Sequence, residues 1–532
     1  MGNASCKNLS EKYYSCCLDK EGLFSLPVRS SSLVRIRGQK ILRMMRDRGC
    51  ISSISLMARM LKINTGNFAL AGIGVVVIAV MAFGSDKGPN SSNKAKDMEA
   101  LSDFATPEPV AVKQFPVAFD GRLSIGDLDR NGSPEIVVSN RNKLAAYNLS
   151  GTKLWQVPAT TNWDYPRHYF WNWTSYGYIE NGNFLHIGAD WKSLYVRDGK
   201  SGTVNKVIPL PAGQWMYTLA DENTAYAFTP SYYEDAAIAA VDTKSGQVSW
   251  VYNISRERAG LFAYMPPILF DDKIAFGTIT LNENGQELRI YNDTIYGLGG
   301  IHTLTVRDID PDKSGLESIV SVYGPRPGQP SLVAYSQSST AKLWANFSPH
   351  KEKHPHQHTV GDFLPGSPGL EIVARNNSGF NHWLVSAKGE TIRPNIRVDP
   401  GWSGDGEYVY AIYWDESPAT ELLYLEGHVN KAWKPRLRVT SVESNSVLTP
   451  IFGGGAGSTG WRGNSKEDNS PYEGGAHVVD LFGDGREEIL TIGGGKISIF
   501  YKPSGPKVVK KKWSDSNYRK RKKIWAQAYN PR

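Results

Sequence analysis

A strand, turn and strand pattern recurs along the chain and is clearest in residues 302–320, HTLTVRDIDPDKSGLESIV. His302 to Arg307 alternates polar and apolar residues, which predicts a half-buried strand. A tight turn rich in aspartate follows, and the apolar run from Ile319 to Val322 predicts a second strand. The pattern therefore predicts a β-hairpin with an acidic turn.

Three other segments, residues 123–138, 358–374 and 477–492, repeat this design. Each has an aspartate, then a turn containing glycine or proline, then a glutamate eight or nine positions after the aspartate and just before an apolar strand. A second piece follows the hairpin, in which two apolar strands flank a polar turn, as in LAAYNLSGTKLW. Four diverged units fit the same scheme, at residues 177–204, 221–250, 270–288 and 409–433.

Eight units of about four short strands each, in roughly 390 residues, are typical of a β-propeller. We therefore predict an all-β fold with eight blades, and we expect residues 524–532 to supply the strand that closes the ring. Seven blades remain an alternative, because the fourth and seventh units are weak. A β-helix or a pair of sandwiches does not require this repeat length.

Charge is distributed unevenly along the 532 residues, although the formal net charge is +8. Residues 1–66 hold 12 basic and 4 acidic side chains, residues 502–532 hold 11 and 1, and the remainder holds 37 and 47. An acidic body with basic ends argues against nucleic-acid binding and is consistent with cation sites. All four cysteines precede the repeats, so the predicted propeller relies on packing and ions rather than on disulfides.

An uninterrupted apolar run of 17 residues, 68–84, predicts a membrane-targeting element, either an uncleaved anchor or a cleaved signal. Basic residues precede it, so we expect a secreted, periplasmic or membrane-anchored protein whose propeller lies outside the cytoplasm. The predicted organisation has four parts: a basic N-terminal region that is either a cytoplasmic tail or an over-extended reading frame, the targeting segment, a polar linker, and the propeller with its basic tail, at residues 1–66, 67–84, 85–112 and 113–532.

The acidic turns carry carboxylates at alternate positions, which cannot crowd one turn without a counter-charge. This spacing predicts a hard cation held by oxygen ligands, with calcium as the preferred candidate. The alternative is a solvated turn with no metal. The predicted ligands in the three fullest turns are Asp127, Asp129, Asn131 and Glu135; Asp308, Asp310, Asp312 and Glu317; and Asp480, Asp484 and Glu488.

A second cluster of candidate metal ligands is the histidine-rich segment SPHKEKHPHQH. Histidines two positions apart in an extended loop place both rings on one side, which allows a zinc site at His354, His356 and His358. Fixed ligand geometry is needed for such a site, and a flexible loop does not supply it.

The motifs GDLDRNGSPEIVV, YGLGGIHTLTVRDIDPDKSGLESI and VVDLFGDGREEIL, in this order, resemble those of rhamnogalacturonan lyases, which are built on an eight-bladed, calcium-rich propeller. The resemblance covers residues 113–532. It implies β-elimination within an acidic polysaccharide that contains rhamnose next to a uronic acid. Ulvan lyases, which use related propellers, are the close alternative.

The chain departs from that family at three places. Residues 230–235 read Pro-Ser-Tyr-Tyr-Glu-Asp and lack the family's arginine, residues 299–302 read Gly-Gly-Ile-His, and the turn that follows Asp362 lacks the later carboxylates. A different uronate polymer, or a lost activity, therefore remains open. The second class of function is a non-catalytic propeller that binds glycan or protein, with the calcium turns kept for stability.

Lyase chemistry needs a cation for the uronate carboxylate, a base and a proton donor. A neutral imidazole suits the base, so His168 and His186 are candidates, although a buried histidine that hydrogen-bonds within a blade is the structural alternative. The likeness of the Tyr-Tyr pair implies Tyr233 as the acid. Arg256 or Arg258 is the candidate carboxylate clamp, since arginine binds carboxylates in bidentate geometry. We expect a monomer whose partner is an acidic polysaccharide, with membrane contact through residues 67–84 if they are uncleaved.

Overall fold

A computed structural model divides the chain into two compact units, Met1–Asn93 and Lys94–Arg532. The structure describes residues 17–18, 24–26, 34–36, 110–140, 142–159, 177–188, 190–213, 215, 217–229, 235–255, 267–276, 279–290, 301–322, 328–339, 341–350, 355–376, 382–396, 406–429, 432–449, 452–453 and 476–503.

The first unit has one small antiparallel sheet in its described part. Its three strands pair in chain order: β1 (Cys17–Leu18), β2 (Phe24–Leu26) and β3 (Val34–Ile36). The predicted targeting segment, residues 67–84, lies outside the described residues. Within the part of the chain that is described, no helix has the length and apolar character needed to cross a membrane.

The second unit is an eight-bladed β-propeller, and the prediction of an all-β fold with eight blades is confirmed. Each blade is a sheet of antiparallel strands in which chain neighbours pair. After β4 (Ala111–Pro116), blades 1 to 4 comprise β5 (Arg122–Gly126), β6 (Glu135–Ser139), β7 (Lys143–Tyr147) and β8 (Lys153–Pro158); β9 (Tyr178–Glu180), β10 (Asn183–Ile187), β11 (Ser193–Asp198) and β12 (Val204–Pro209); β13 (Tyr217–Asp221), β14 (Thr224–Phe228), β15 (Ala236–Asp242) and β16 (Gln247–Ile254); β17 (Ile268–Phe270), β18 (Lys273–Phe276), β19 (Ile279–Asn282) and β20 (Glu287–Ile290).

Blades 5 to 8 follow the same scheme, with one additional short strand in blade 7. They comprise β21 (Ile301–Arg307), β22 (Glu317–Val322), β23 (Leu332–Ser336) and β24 (Lys342–Asn346); β25 (Pro355–Gly361), β26 (Glu371–Asn376), β27 (His382–Val385) and β28 (Thr391–Arg393); β29 (Gly406–Ile412), β30 (Glu421–Val429), β31 (Ala432–Ser441), β32 (Ser446–Val447) and β33 (Phe452–Gly453); β34 (His477–Val479), β35 (Glu488–Gly493) and β36 (Lys496–Tyr501).

The ring closes by a strand from the start of the unit. β4 pairs antiparallel with β36, with Phe115 opposite Ile497, and so forms the fourth strand of blade 8. This strand begins two residues before the predicted domain start at 113. The closing strand was expected from residues 524–532, which lie outside the described residues; β4 takes that position because its apolar Phe115 is buried in the cluster that joins blades 8 and 1.

The first strand of each blade lies at the inside of the ring and the fourth at its rim. First strands of successive blades contact one another, as β5 does with β9 and β25 with β29. β5 and β6 are buried along their whole length, whereas β8 and β16 alternate with exposed residues. The apolar clusters lie between neighbouring blades, which is why each sheet is buried on both faces and why the strands are rich in Val, Ile and Ala.

A clasp between blades explains the recurring tryptophan of the second sequence piece. The indole Nε1 of Trp155, Trp250 and Trp344, each on a fourth strand, donates a hydrogen bond to a carbonyl in the third-to-fourth turn of the next blade, at 2.6, 2.7 and 2.9 Å. A glycine of that turn lies against the indole ring and has positive φ. A Cβ on Gly202, Gly285 or Gly389 would lie 2.5–2.7 Å from the ring atoms.

The antiparallel order gives the ring two distinct ends. The first-to-second and third-to-fourth turns lie at one end, which we call the turn end. The second-to-third turns and the connections between blades lie at the other, which we call the connection end.

Candidate functional site

The acidic turns all lie at the turn end, and a buried glutamate closes each of them. In five blades the glutamate is the first residue of the second strand, and its carboxylate accepts a hydrogen bond from a main-chain N–H seven or eight residues earlier, at 2.6–2.9 Å. This contact explains why a glutamate follows the aspartate and begins the second strand. The five glutamates are Glu135, Glu317, Glu371, Glu421 and Glu488.

Main-chain hydrogen bonds join consecutive acidic turns in the second half of the ring. The residue just before the glutamate donates its N–H to a carbonyl in the turn of the preceding blade. The three pairs are Leu370 to Ile309 at 2.9 Å, Thr420 to Asp362 at 2.6 Å, and Glu487 to Tyr413 at 2.7 Å. The turns therefore hold neighbouring blades in register besides reversing the chain.

The turn of blade 1 is the strongest candidate metal site. One carboxylate oxygen each of Asp127, Asp129 and Glu135 lie within 4.8 Å of one another, and among the described residues no other set of three acidic, histidine or cysteine ligands is so close. Asp127 Oδ2 accepts a hydrogen bond from the Gly132 N–H at 3.0 Å. Asp127 Oδ1 is buried and has no hydrogen-bond partner within the described chain. A buried carboxylate oxygen without a donor is costly unless a cation or water satisfies it.

Burial and the two neighbouring aspartates raise the pKa of Glu135 from 4.5 to about 7. This is the mutual repulsion that a hard cation relieves, and oxygen ligands suit calcium. The predicted fourth ligand, Asn131, is exposed and its amide is used locally: Nδ2 donates to Asp129 Oδ2 at 2.9 Å, and Oδ1 accepts from the Ser133 N–H at 2.7 Å. The carboxylates therefore fit a cation better than the asparagine does.

In blade 5 a lysine from the next blade supplies positive charge to the turn. Lys388 Nζ lies 2.7 Å from Asp312 Oδ2, and this hydrogen bond and charge lower the pKa of Asp312. Asp308 is exposed, whereas Asp310 is buried and its Oδ1 accepts the Asp312 N–H at 3.1 Å. Burial raises the pKa of Glu317. The four predicted ligands of this turn do not form a set as close as that of blade 1.

In blade 8 an arginine within the turn supplies the positive charge. Arg486 Nε donates to Asp484 Oδ2 at 3.1 Å, and a second guanidinium nitrogen pairs with the same oxygen. The Asp480 carboxylate accepts main-chain hydrogen bonds from Gly483 and Gly485 at 2.6 and 3.1 Å. Burial raises the pKa of Asp480 to about 6 and places the pKa of Glu488 well above its ordinary value.

Blade 7 carries an acidic turn that the sequence pattern missed. Asp415 Oδ1 accepts the Ser417 N–H at 2.7 Å, and Glu421 accepts the Trp414 N–H at 2.9 Å. Burial, then the charge of Asp415, raises the pKa of Glu421 to about 9. The aspartate and the glutamate are only six positions apart here, outside the eight or nine of the other copies. The usable signal was the glutamate at the start of an apolar strand.

His186, a predicted catalytic base, is part of a packed network inside blade 2. Arg197 Nε donates to its Nε2 at 2.9 Å, and its Nδ1 lies 3.1 Å from the Ile187 carbonyl. The ring stacks between Phe184 and Tyr195, with centroids 5.5 and 5.2 Å away. Burial and the positive charge of Arg197 lower the pKa of His186 to about 3. Both nitrogens are engaged, so the geometry favours the structural alternative over the role of base.

His358, a predicted zinc ligand, lies in a pocket of hydroxyl groups between blades 5 and 6. Its Nδ1 is 2.9 Å from Thr303 Oγ1 and 2.6 Å from Ser321 Oγ, and its Nε2 is 3.0 Å from Thr305 Oγ1. Burial lowers the pKa of His358 to about 3. Its ring therefore points into the protein instead of joining a loop site, and His354 and the side chain of His356 lie outside the described residues.

The remaining catalytic candidates, His168, Tyr233, Arg256 and Arg258, also lie outside the described residues. Their segments join strands of blades 1 to 4, and the described residues that flank these segments share one location. All of them lie at the connection end, opposite the acidic turns: Ala159, Gly177, Thr229, Asp235, Ser255 and Pro267.

No protein-family model and no curated protein matches the chain. Among solved structures, BamB from Moraxella catarrhalis is similar, with 13% sequence identity and a TM-score of 0.43; the match covers 75% of this chain and 99% of that chain. A similarity of this degree carries no information on function. The resemblance to rhamnogalacturonan and ulvan lyases therefore rests on the sequence motifs.

Proposed function

We propose that the protein is an extracytoplasmic polysaccharide lyase that cleaves a polymer of rhamnose and uronic acid, of the rhamnogalacturonan or ulvan type, by β-elimination. One observation carries the proposal besides the motif order. The segments that hold the candidate base, acid and carboxylate clamp attach to consecutive blades at the same end of the ring. Connections at one end of a rigid scaffold are where binding and catalytic groups gather.

In this proposal His168 takes the proton next to the uronate carboxyl, because the other candidate base, His186, is buried with both nitrogens engaged. Arg256 or Arg258 neutralises the carboxylate, which lowers the cost of the carbanion-like charge that develops beside it. Tyr233 protonates the leaving sugar oxygen. His186 and Arg197 support the blade on which this end is built.

Calcium belongs to the proposal as a structural ion, held by Asp127, Asp129 and Glu135 at the turn end. Two of the other turns have a lysine or an arginine beside a carboxylate, so we expect them to depend less on a metal. An ion that binds only the folded chain stabilises it by mass action.

A non-catalytic propeller that binds glycan or protein is the second candidate. The observation that favours it is that both ring nitrogens of His186 have hydrogen-bond partners, so one of the two predicted bases is not free to act. The stretch 230–235 also lacks the arginine of the lyase motif. In that case the same end of the ring would bind an acidic polysaccharide and release it unchanged.

Variants of the full chain separate the two functions. His168→Ala should reduce the rate of cleavage roughly 10²–10⁴-fold, the usual span for a positioned general base, and leave polysaccharide binding intact. Arg256→Gln and Arg258→Gln should weaken both cleavage and binding. Lys313→Gln is the matched control, since it removes one positive charge from an exposed residue at the turn end. A wild-type protein that binds the polymer without cleaving it would establish the second candidate.

A further inference from the structure

A groove between blades 3 and 4 at the turn end is separate from the candidate metal and lyase sites and borders the Trp250 clasp. It has a volume of about 430 Å³. Its rim is formed by the first-to-second turns of both blades and the third-to-fourth turn of blade 4, and its wall by Tyr226 and Trp250.

The rim of the groove is strongly acidic. Among the residues that the structure describes, five carboxylates from three turns line it, against a single cation, Lys273. Their like charges repel one another, so a positive ligand would be favoured electrostatically. The five acidic residues are Asp221, Glu222, Asp271, Asp272 and Glu283.

The wall supplies a second and independent feature. Tyr226 is 7% exposed, its ring centroid lies 6.1 Å from that of Trp250, and it lines the groove. No described residue forms a hydrogen bond with its hydroxyl, and the hydroxyl oxygen is not among the fully buried polar atoms that lack a partner, so it is accessible from the groove. Burial, then the charges of Asp221, Glu283 and Asp272, raises the pKa of Tyr226 to about 12. The hydroxyl therefore stays neutral. The negative charges that raise its pKa come from all three turns of the rim.

The spacing of the carboxylates distinguishes an organic cation from a metal ion. Among the described residues, three acidic oxygens within 4.8 Å of one another occur in the blade 1 turn and not in this groove. A hard metal ion needs such close oxygens, whereas the several nitrogens of an extended organic cation can pair with separated carboxylates. The indole of Trp250 offers a face that attracts ammonium and guanidinium groups.

We propose that this groove binds an organic cation that carries alkylammonium or guanidinium groups. Its positive groups pair with the carboxylates of the rim, and its methylene chain lies along Trp250. The Tyr226 hydroxyl accepts one hydrogen bond from an N–H group of the ligand. The site lies at the end of the ring opposite the proposed lyase site, so it does not depend on the lyase activity.

Spermine is a suitable probe, and its binding to the full chain is measured by calorimetry. The wild-type protein should bind spermine, and Asp272→Asn with Glu283→Gln should weaken binding roughly tenfold, because two charge pairs with exposed carboxylates are lost. Tyr226→Phe should weaken it less, and magnesium at the same concentration should not displace spermine. Glu443→Gln is the matched control. Glu443 lies in an exposed third-to-fourth turn, as Glu283 does, but in blade 7. The Glu443→Gln protein should therefore bind spermine with the affinity of the wild-type protein.

Two results would overturn the proposal: no spermine binding by the wild-type protein, or equal affinity in the Asp272→Asn, Glu283→Gln protein with unchanged thermal unfolding. A further arm identifies the source of the cation, because residues 502–532 hold 11 basic side chains. Replacing the five basic residues 519–523 with glutamine in the full chain should tighten spermine binding if this tail competes for the groove. Unchanged affinity assigns the site to a separate ligand.

Discussion

Arg197 Nε donates a hydrogen bond to His186 Nε2 at 2.9 Å, and the two side chains are among the most buried polar groups of blade 2. The guanidinium also donates to the carbonyls of Gly202 at 2.9 Å and Pro158 at 3.3 Å, the latter in blade 1. His186 thus orients an arginine that ties two blades together. This role accounts for His186, which was a candidate base only because a neutral imidazole suits that chemistry.

Replacing His186 by alanine should lower the free energy of unfolding by at least about 1–3 kcal/mol, the cost of leaving a buried donor of Arg197 unsatisfied. His186→Gln should lose less, since an amide oxygen can accept the hydrogen bond. Urea unfolding measures both. A folded His186→Gln protein without lyase activity would return His186 to the catalytic role.

The buried His358 should make stability depend on pH. Burial lowers the pKa of His358 from 6.5 to about 3, so between these values the unfolded chain binds a proton that the folded chain does not. The contribution of His358 to the free energy of unfolding is complete above about pH 6.5. It is lost as the pH falls towards 3, at up to about 1.4 kcal/mol per pH unit.

The measurement compares unfolding free energies of the wild-type protein and His358→Gln across this range. The difference between them should shrink as the pH falls, and the effect of His186, which has the same sign, is common to both proteins. A difference that stays constant from pH 6.5 to 4 would refute the assignment.

Calcium should stabilise the propeller through blade 1. A chelator is expected to lower the melting temperature of the wild-type protein by several degrees, because an ion bound only to the folded state is removed. Asp127→Asn with Asp129→Asn should abolish this response. Asp312→Asn should retain it, since that carboxylate is exposed and paired with Lys388. An identical melting curve with and without chelator would exclude a calcium site.

The clasps between blades should be sensitive to one methyl group. Gly389→Ala should destabilise the protein by about 2 kcal/mol or more, because the residue has φ of 87° and its Cβ would lie 2.5 Å from the Trp344 ring. Gly366→Ala, in the acidic turn of the same blade, meets no atom within 4 Å and is the control. Equal melting temperatures of the two variants would show that the clasp contributes little.

The repeat and the hairpin were predictable because each depends on residues close together in the chain. The glutamate that closes an acidic turn lies within nine positions of its aspartate, so Glu135 and Glu488 stand out in the sequence. Contacts between blades have no such signal. Lys388 of blade 6 pairs with Asp312 of blade 5. β4 pairs with β36, although almost the whole propeller separates them in the sequence.

The candidate site was less predictable, because the same residue type serves chemistry and packing. His186 and His358 carry no local feature that distinguishes a buried, hydrogen-bonded ring from a base or a ligand. Only the partners Arg197 and Thr303, brought together by the folded strands, decide between these roles. The groove between blades 3 and 4 likewise unites three turns that show no common motif in the sequence.

The most direct test of the proposed activity is the product formed when the full chain is incubated with ulvan and with rhamnogalacturonan. β-Elimination leaves an unsaturated uronate, which absorbs in the ultraviolet and lacks the water that hydrolysis would add to the product mass. We expect this product from at least one of the two polymers, and we expect the His168→Ala protein at equal concentration to form it roughly 10²–10⁴-fold more slowly. The absence of unsaturated product from both polymers and from other uronate polysaccharides, with a folded protein, would contradict the proposed lyase activity.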